Sequence, residues 1–363
     1  MWTIDYEDLE NIAVGAGILG TGGGGNPYLG KLMTRRYLDE GVRIQVVTAD
    51  SVPDDATCAS VGGMGAPTVS IEKIQRGDEP LVALRALEQY TGKRVDYLVP
   101  WEIGGTNSMR PLVQAAKSGL PVVDADAMGR AFPELQMCTY SIYGVPGTPA
   151  AISDVRGDIA LFPIASSDKL LERYARAVTI EMGGHAGIAS PIMSGADMKR
   201  TVIPGTMTFA RDLGAAVRAA REQLTDPVQA VLDVCDGQTL FAGKITSVER
   251  RMAKGFSRGE VVIEGLGDDR GETMSIDFQN ENLIARRGDA VIATVPDLIC
   301  IVDSTTAEPV TTDVLRYGLR VTVVGIPAPR LLKSTAALDV VGPGAFGYDV
   351  AFQPLAGVYG SER

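Results

Sequence analysis

The stretch Gly20-Thr21-Gly22-Gly23-Gly24-Gly25-Asn26-Pro27 constrains the fold more than any other. Four consecutive glycines cannot sit inside a regular element, because each loses the most backbone freedom on ordering and brings no side chain to pack. The run is therefore a loop. Before it, Leu9, Ile12, Ala13, Ala16 and Leu19 follow the i, i+3, i+4 spacing of one helical face, with Asp5 or Asp8 as cap. After it, Leu29, Leu32, Met33 and Leu38 mark a second helix. A glycine loop joining helix to helix is neither a dinucleotide fingerprint nor a P-loop, since no strand precedes it and no Gly-Lys-Ser/Thr closes it. No nucleotide cofactor is expected. The loop is either a tight packing turn or a cradle whose backbone N–H groups meet an anion or an imide carbonyl. In the second case Thr21, Gly23, Gly24 and Asn26 bind substrate.

Glycine totals 42 of 363 residues, and its other clusters fall where strands end. Strand-like runs at Ile44–Thr48, Cys58–Met64, Val95–Pro100 and Leu120–Asp124 alternate with helical stretches around 80–90 and 107–117, the βαβ pattern of parallel strands. The first part reads as an open, mostly parallel α/β sheet domain. Helices are expected at 169–177 and 208–222, with a strand at 178–182. From Gly243 onward, alternation and turn residues indicate a β-rich α+β module, barrel-like or a sandwich.

Ligands of open α/β sheets bind outside the carboxyl ends of the strands. Three such ends carry Gly62–Thr68, Pro100–Asn107 and Asp124–Arg130, bringing Gly65, Glu102, Asn107, Asp124, Asp126 and Arg130 to one edge. The carboxylates serve there as general base or metal ligands, or else Asp124 and Asp126 cap the following helix and Glu102 pairs with Arg110 or Arg130. His185, the one histidine, follows two glycines. A single histidine excludes every multi-histidine zinc site. It also leaves the chemistry to carboxylates, amides and backbone groups.

Basic residues number 34 against 45 acidic, a net charge of −11, and no dense basic stripe offers a face to nucleic acid. No basic, apolar leader opens the chain and no run approaches 18 apolar residues, so a cytoplasmic protein without membrane contact is expected. Cys58, Cys138, Cys235 and Cys300 are widely spaced and read as reduced thiols, with Cys138 and Cys235 the less buried pair. None has a local motif that marks a nucleophile.

Several segments together resemble one family. They are Gly20–Tyr28, Glu102–Ser108, Asp124–Gln136 with its Asp-x-Asp-x-x-Gly-Arg-Ala-Phe-Pro-Glu core, Gly243–Ile245 with Gly255–Phe256, and Gly342–Asp349. The chain resembles the S-methyl thiohydantoin desulfurase family, long catalogued as proteins encoded near hydantoinases. The resemblance runs nearly end to end and implies an N-terminal domain over 1–165 and a C-terminal domain over 166–363. It also implies hydrolysis of S-methyl thiohydantoins to hydantoins with release of methanethiol, in sulfur-compound catabolism.

Position and chemistry supply the roles for such a reaction. Water attacks the sulfur-bearing ring carbon, deprotonated by Asp124 or Asp126, with Glu102 as runner-up. Asn107, Asn26 and the glycine-loop N–H groups hold the ring carbonyl, and His185 or Glu134 protonates a ring nitrogen or the departing sulfur. In a metal variant, Asp124, Asp126, Glu102 and His185 hold a divalent ion such as zinc. The rival readings are a non-catalytic partner subunit of a hydantoinase-type complex and a hydrolase of another cyclic imide. A homo-oligomer is expected from the base rate for such proteins.

Overall fold

The structure, a computed structural model, describes residues 1–65, 69, 73, 75–253 and 255–363. Its first sheet is built from β1 (Trp2–Thr3), β2 (Gln45–Thr48), β3 (Thr57–Gly65), β4 (Tyr97–Pro100), β5 (Val122–Asp126), β6 (Ala150–Ser153), β7 (Ile159–Phe162), β8 (His185–Ser194) and β9 (Ile203–Pro204). The spatial order is β1-β2-β5-β4-β3-β8-β6-β7, with β9 against β5. Strands β2, β5, β4 and β3 are parallel, and the others pair antiparallel. The α/β reading holds, with antiparallel strands added at both flanks of a parallel centre.

Every residue of β5 is buried, as a strand covered on both faces requires. Its two faces enter separate cores: Val122 packs among helices Tyr6–Leu19, Glu79–Thr91, Thr106–Ser118 and Thr206–Glu222, and Val123 and Ala125 pack with Val52, Val99, Tyr140 and Met198. Tyr6–Leu19 starts at a capping box: Asp5 accepts from the Asp8 N–H at 2.8 Å, and Asp8 accepts from the Asp5 N–H at 3.2 Å. It then crosses Thr206–Glu222 in backbone contact. A Cβ on Gly15 would lie 1.9 Å from the Ala210 carbonyl oxygen, and one on Gly214 would lie 1.8 Å from that of Asn11. Glycine at both positions sets this approach.

The second sheet comprises β10 (Gln238–Ala253), β11 (Phe256–Gly265), β12 (Thr273–Gln279), β13 (Glu281–Arg287), β14 (Ala290–Thr294), β15 (Leu298–Asp303) and β16 (Arg320–Ile326). It is antiparallel throughout, in the order β14-β13-β12-β11-β10-β16-β15, and it curls so that β13 and β14 also meet β15. The turn between β12 and β13 is a single residue, Asn280, at φ +58°.

Two expectations are corrected. Val178–Met182, read as a strand, belongs almost wholly to helix Asp168–Glu181, because Leu171, Ala175 and Thr179 continue one buried helical stripe through the β-branched residues. The strand begins instead at His185 and lies between β3 and β6, so the chain beyond residue 165 completes the first sheet. Cys138 and Cys235 are as buried as the other two cysteines.

Candidate active site

The crossovers from β3 through Glu79–Thr91 to β4, and from β4 through Thr106–Ser118 to β5, put three strand ends on one edge. The cleft opens there, as the strand-end rule requires. Its walls are Gly62–Gly65 at the end of β3, Trp101, Glu102, Thr106 and Asn107 after β4, and Met128 with Phe132–Leu135 after β5. The glycine loop adds Gly24 and Gly25, β8 adds His185, and the β12–β13 turn adds Asn280 and Glu281. The cavity measures ≈ 80 Å³, where one water needs about 10–15 Å³ of such space. Several waters or one small ring therefore fit. Of the strand-end residues read from the sequence, Ala66, Pro67 and Thr68 lie outside the described residues.

The two glycine segments interlock to shape this edge. The Thr106 N–H donates to the Gly24 carbonyl at 2.9 Å and the Gly105 N–H to the Ala16 carbonyl at 2.8 Å. Gly24 sits at φ +71°, and a Cβ on it would lie 2.4 Å from the Gly104 carbonyl oxygen. Only glycine on both sides permits this contact.

Glu102 is 5% exposed. One of its oxygens accepts from Asn107 Nδ2 at 2.6 Å and the other from the Phe132 N–H at 3.2 Å. Asn107 is itself fixed, since its Oδ1 accepts from the Gly63 N–H at 2.9 Å. Burial pushes the Glu102 carboxyl up to about 8, although both of these donors favour its charged form.

Arg110, one helical turn beyond Asn107, is buried, and its Nε has no partner among the described residues. Its Nη2 contacts His185 Nε2 at 2.8 Å. A guanidinium only donates, so the imidazole accepts at Nε2 and is neutral. Burial, then the charges of Arg110 and Lys73, hold the histidine well below its usual value. Burial likewise lowers Arg110 to about 10. His185 thus orients Arg110 and has no proton to give at that nitrogen.

Glu281 is 2% exposed. Its Oε1 receives a long 3.4 Å contact from the Gly24 N–H, and its Oε2 has no partner among the described residues. Burial, followed by repulsion from Glu102, raises this carboxyl well above the usual range. Glu134 also lines the cleft, where its carboxylate accepts from Gln136 Nε2. Arg176 lines it too, paired with Glu172 and donating to the Pro133 carbonyl at 3.0 Å.

Of the residues marked from the sequence, the structure thus gathers Gly24, Gly65, Glu102, Asn107, Glu134 and His185 at the cleft. The others lie elsewhere. Asp124 accepts from the Met207 N–H at 2.9 Å, the Thr208 N–H at 3.0 Å and the Thr208 hydroxyl, at the start of helix Thr206–Glu222. It caps a helix some eighty residues onward instead of the next one. Asp126 takes the N–H groups of Ile103, Met128 and Gly129 on one oxygen, tying together the loops after β4 and β5; burial raises it to about 7. Arg130 is fully buried and donates to Thr21 Oγ1 and to the carbonyls of Ala131, Asn282, Pro296 and Asp297. Thr21, at φ +51°, belongs to that buried joint, and Asn26 caps helix Pro27–Asp39 through the Tyr28 N–H at 2.9 Å. Gly23 leaves room for Glu281, since a Cβ there would lie 1.9 Å from its Oε1.

The four residues read as a metal set do not converge: among the described residues no three His, Cys, Asp or Glu side chains come together as one. Sequence reasoning named Arg110 only as a pairing partner of Glu102, and it missed Arg176, Asn280 and Glu281. The i, i+3 spacing from Asn107 was a signal for Arg110. Nothing local marks Glu281.

Family models match both parts of the chain: the S-Me-THD-like N-terminal domain at residues 7–164 and the S-Me-THD-like C-terminal domain at residues 166–355. The chain belongs to the S-Me-THD-like family. This agrees with the S-methyl thiohydantoin desulfurase resemblance of its glycine and Asp-x-Asp segments. A crystal structure of a protein from Chromobacterium violaceum is similar to the family member described here, with 27% identity and a TM-score of 0.81 over 98% of this chain and 100% of that one. No curated protein matches the chain. No helix among the described residues is long and apolar enough to cross a membrane.

Proposed function

We propose that the chain hydrolyses S-methyl thiohydantoin-type rings, with water attacking the sulfur-bearing carbon to release methanethiol and leave a hydantoin. The observation that carries this reading is Glu102, buried in the cleft of an S-Me-THD-like protein and clamped by Asn107 and the Phe132 N–H. A base works best with a pKa near the working pH, and burial brings this carboxyl to about 8. Glu102 takes the proton from water. Asn107, committed on both sides of its amide, is a positioning residue that aims the carboxylate. The partnerless Nε of Arg110 meets the ring oxygen on which charge develops, in a buried setting where such a donor counts most. His185 holds Arg110 in place.

The purified chain, given a panel of S-methyl thiohydantoins, is expected to release free thiol and one hydantoin per thiol, with oxygen from labelled water in the new carbonyl. A folded chain that releases no thiol across the panel overturns the reading. Ring-opened products without thiol would identify a hydrolase of another cyclic imide instead.

A further inference from the structure

Glu281 reaches the cleft from the second sheet, whereas Glu102 reaches it from the end of β4 in the first. Its socket is built: Gly23, with no Cβ, leaves space for the carboxyl, and the Gly24 N–H approaches Oε1 at 3.4 Å. Among the described residues, no ion pair neutralises it. Arg130, whose charge acts on it, directs its guanidinium to Thr21 and to four backbone carbonyls. The cleft also holds Glu102, Arg110, Glu134, Arg176 and His185, and none of these bonds to Glu281. An ionised carboxylate with one long donor is a costly buried charge, so the site holds the acid form. The acid carries an O–H, and Oε2 has no acceptor among the described residues.

We propose that Glu281 is the general acid of the reaction, protonating the ring nitrogen as water adds to the neighbouring carbon. This rests on the S-methyl thiohydantoin reading above. In the first step Glu102 takes a proton from water and the oxygen bonds to the sulfur-bearing carbon. The C=N π pair moves onto nitrogen, which receives the Glu281 proton. In the second step the new hydroxyl returns its proton to Glu281 as the C=O forms. The C–S bond breaks, and methanethiolate leaves with the proton held by Glu102. Both carboxyls end as they began, and water is divided between the hydantoin and methanethiol. Base and acid thus come from different sheets, and the cleft is complete only where those sheets meet.

The test is the pH profile of thiol release by the intact chain and by Glu281→Gln and Glu281→Met, both close in length to glutamate. Expected is a bell in the native protein, falling at low pH as Glu102 gains a proton and at high pH as Glu281 loses one. Both variants should lower kcat by about 10²-fold or more, with KM little changed, and abolish the alkaline limb. Native-like turnover in either variant overturns the proposal, and so does a slow variant that keeps the alkaline limb in place. If the native chain releases no thiol, the substrate reading and this proposal fall together. If it does and the variants behave as the native protein, this proposal alone falls.

Discussion

Replacing Glu102 by glutamine should move stability and activity in opposite directions above neutral pH. The carboxyl is raised from 4.5 to about 8, first by burial. Between those values the unfolded chain has released a proton that the folded chain keeps. Stability therefore falls as pH rises through this window and stays low above it. At about 1.36 kcal/mol per unit the full penalty is about 5 kcal/mol. Glutamine cannot ionise and escapes it. Its amide, however, faces two donors, Asn107 Nδ2 and the Phe132 N–H, and has one oxygen to offer. The mismatched donor costs about 1–3 kcal/mol. Glu102→Gln is therefore expected to be about 1–3 kcal/mol less stable than the native chain near pH 4.5 and about 2–4 kcal/mol more stable near pH 9, crossing between. Urea unfolding across that range measures the difference, and thiol release should drop about 10²–10⁴-fold. A stability difference that does not change with pH, or one that grows against the variant as pH rises, refutes the assignment of Glu102 as a buried, destabilised base.

Other substitutions separate structural from chemical roles. Asp124→Ala removes the acceptor at the start of helix Thr206–Glu222 and should cost about 0.5–2 kcal/mol in urea unfolding while leaving thiol release unchanged; lost turnover at native stability would return Asp124 to the chemistry. Arg130→Met leaves Thr21 and the Asn282, Pro296 and Asp297 carbonyls without their donor. Its expected cost is about 3–5 kcal/mol, and a native urea midpoint contradicts that. Gly23→Ala should displace Glu281 and abolish turnover, whereas Gly41→Ala, at φ +80° with nothing within 4 Å of its Cβ, should only lose stability modestly; equal activities would dissolve the contrast. His185 is held neutral, so its stabilising contribution is present above about 6.5 and lost as pH falls below it. The one imidazole resonance should stay flat from pH 8 through 6, and a midpoint near the ordinary value refutes the Arg110 contact.

The parallel centre of the fold was legible because its signals are local. Buried runs such as Val122–Asp126 alternate with amphipathic helices at βαβ spacing, and glycines stand where strands stop. The misreading at Val178–Met182 shows the limit of such signals. Three β-branched residues in five suggest a strand, yet the stripe Leu171–Ala175–Thr179 spans a longer window and decides for helix. The insertion of β8 between β3 and β6 is a long-range pairing that no window of sequence displays.

The site divides in the same way. Strand-end logic placed Glu102 and Asn107 correctly at the edge, and it also marked Asp124 and Asp126, which lie on the neighbouring β5. What sequence could not supply is the direction in which each carboxylate finds its partners. Asp124 meets the N–H groups of Met207 and Thr208, and Asp126 meets those of Ile103, Met128 and Gly129, so both are consumed by backbone donors. Glu102 meets one side chain and one N–H, and remains on the wall of the cleft. Glu281 meets almost nothing among the described residues: one long contact from the Gly24 N–H, and no partner for Oε2. The number of donors around a buried carboxyl, more than its place in a motif, separates the acids that hold the fold from those left for chemistry. That number depends on contacts across more than two hundred residues, from Gly23 and Gly24 to Glu281, and these form only when the two sheets close on the glycine loop.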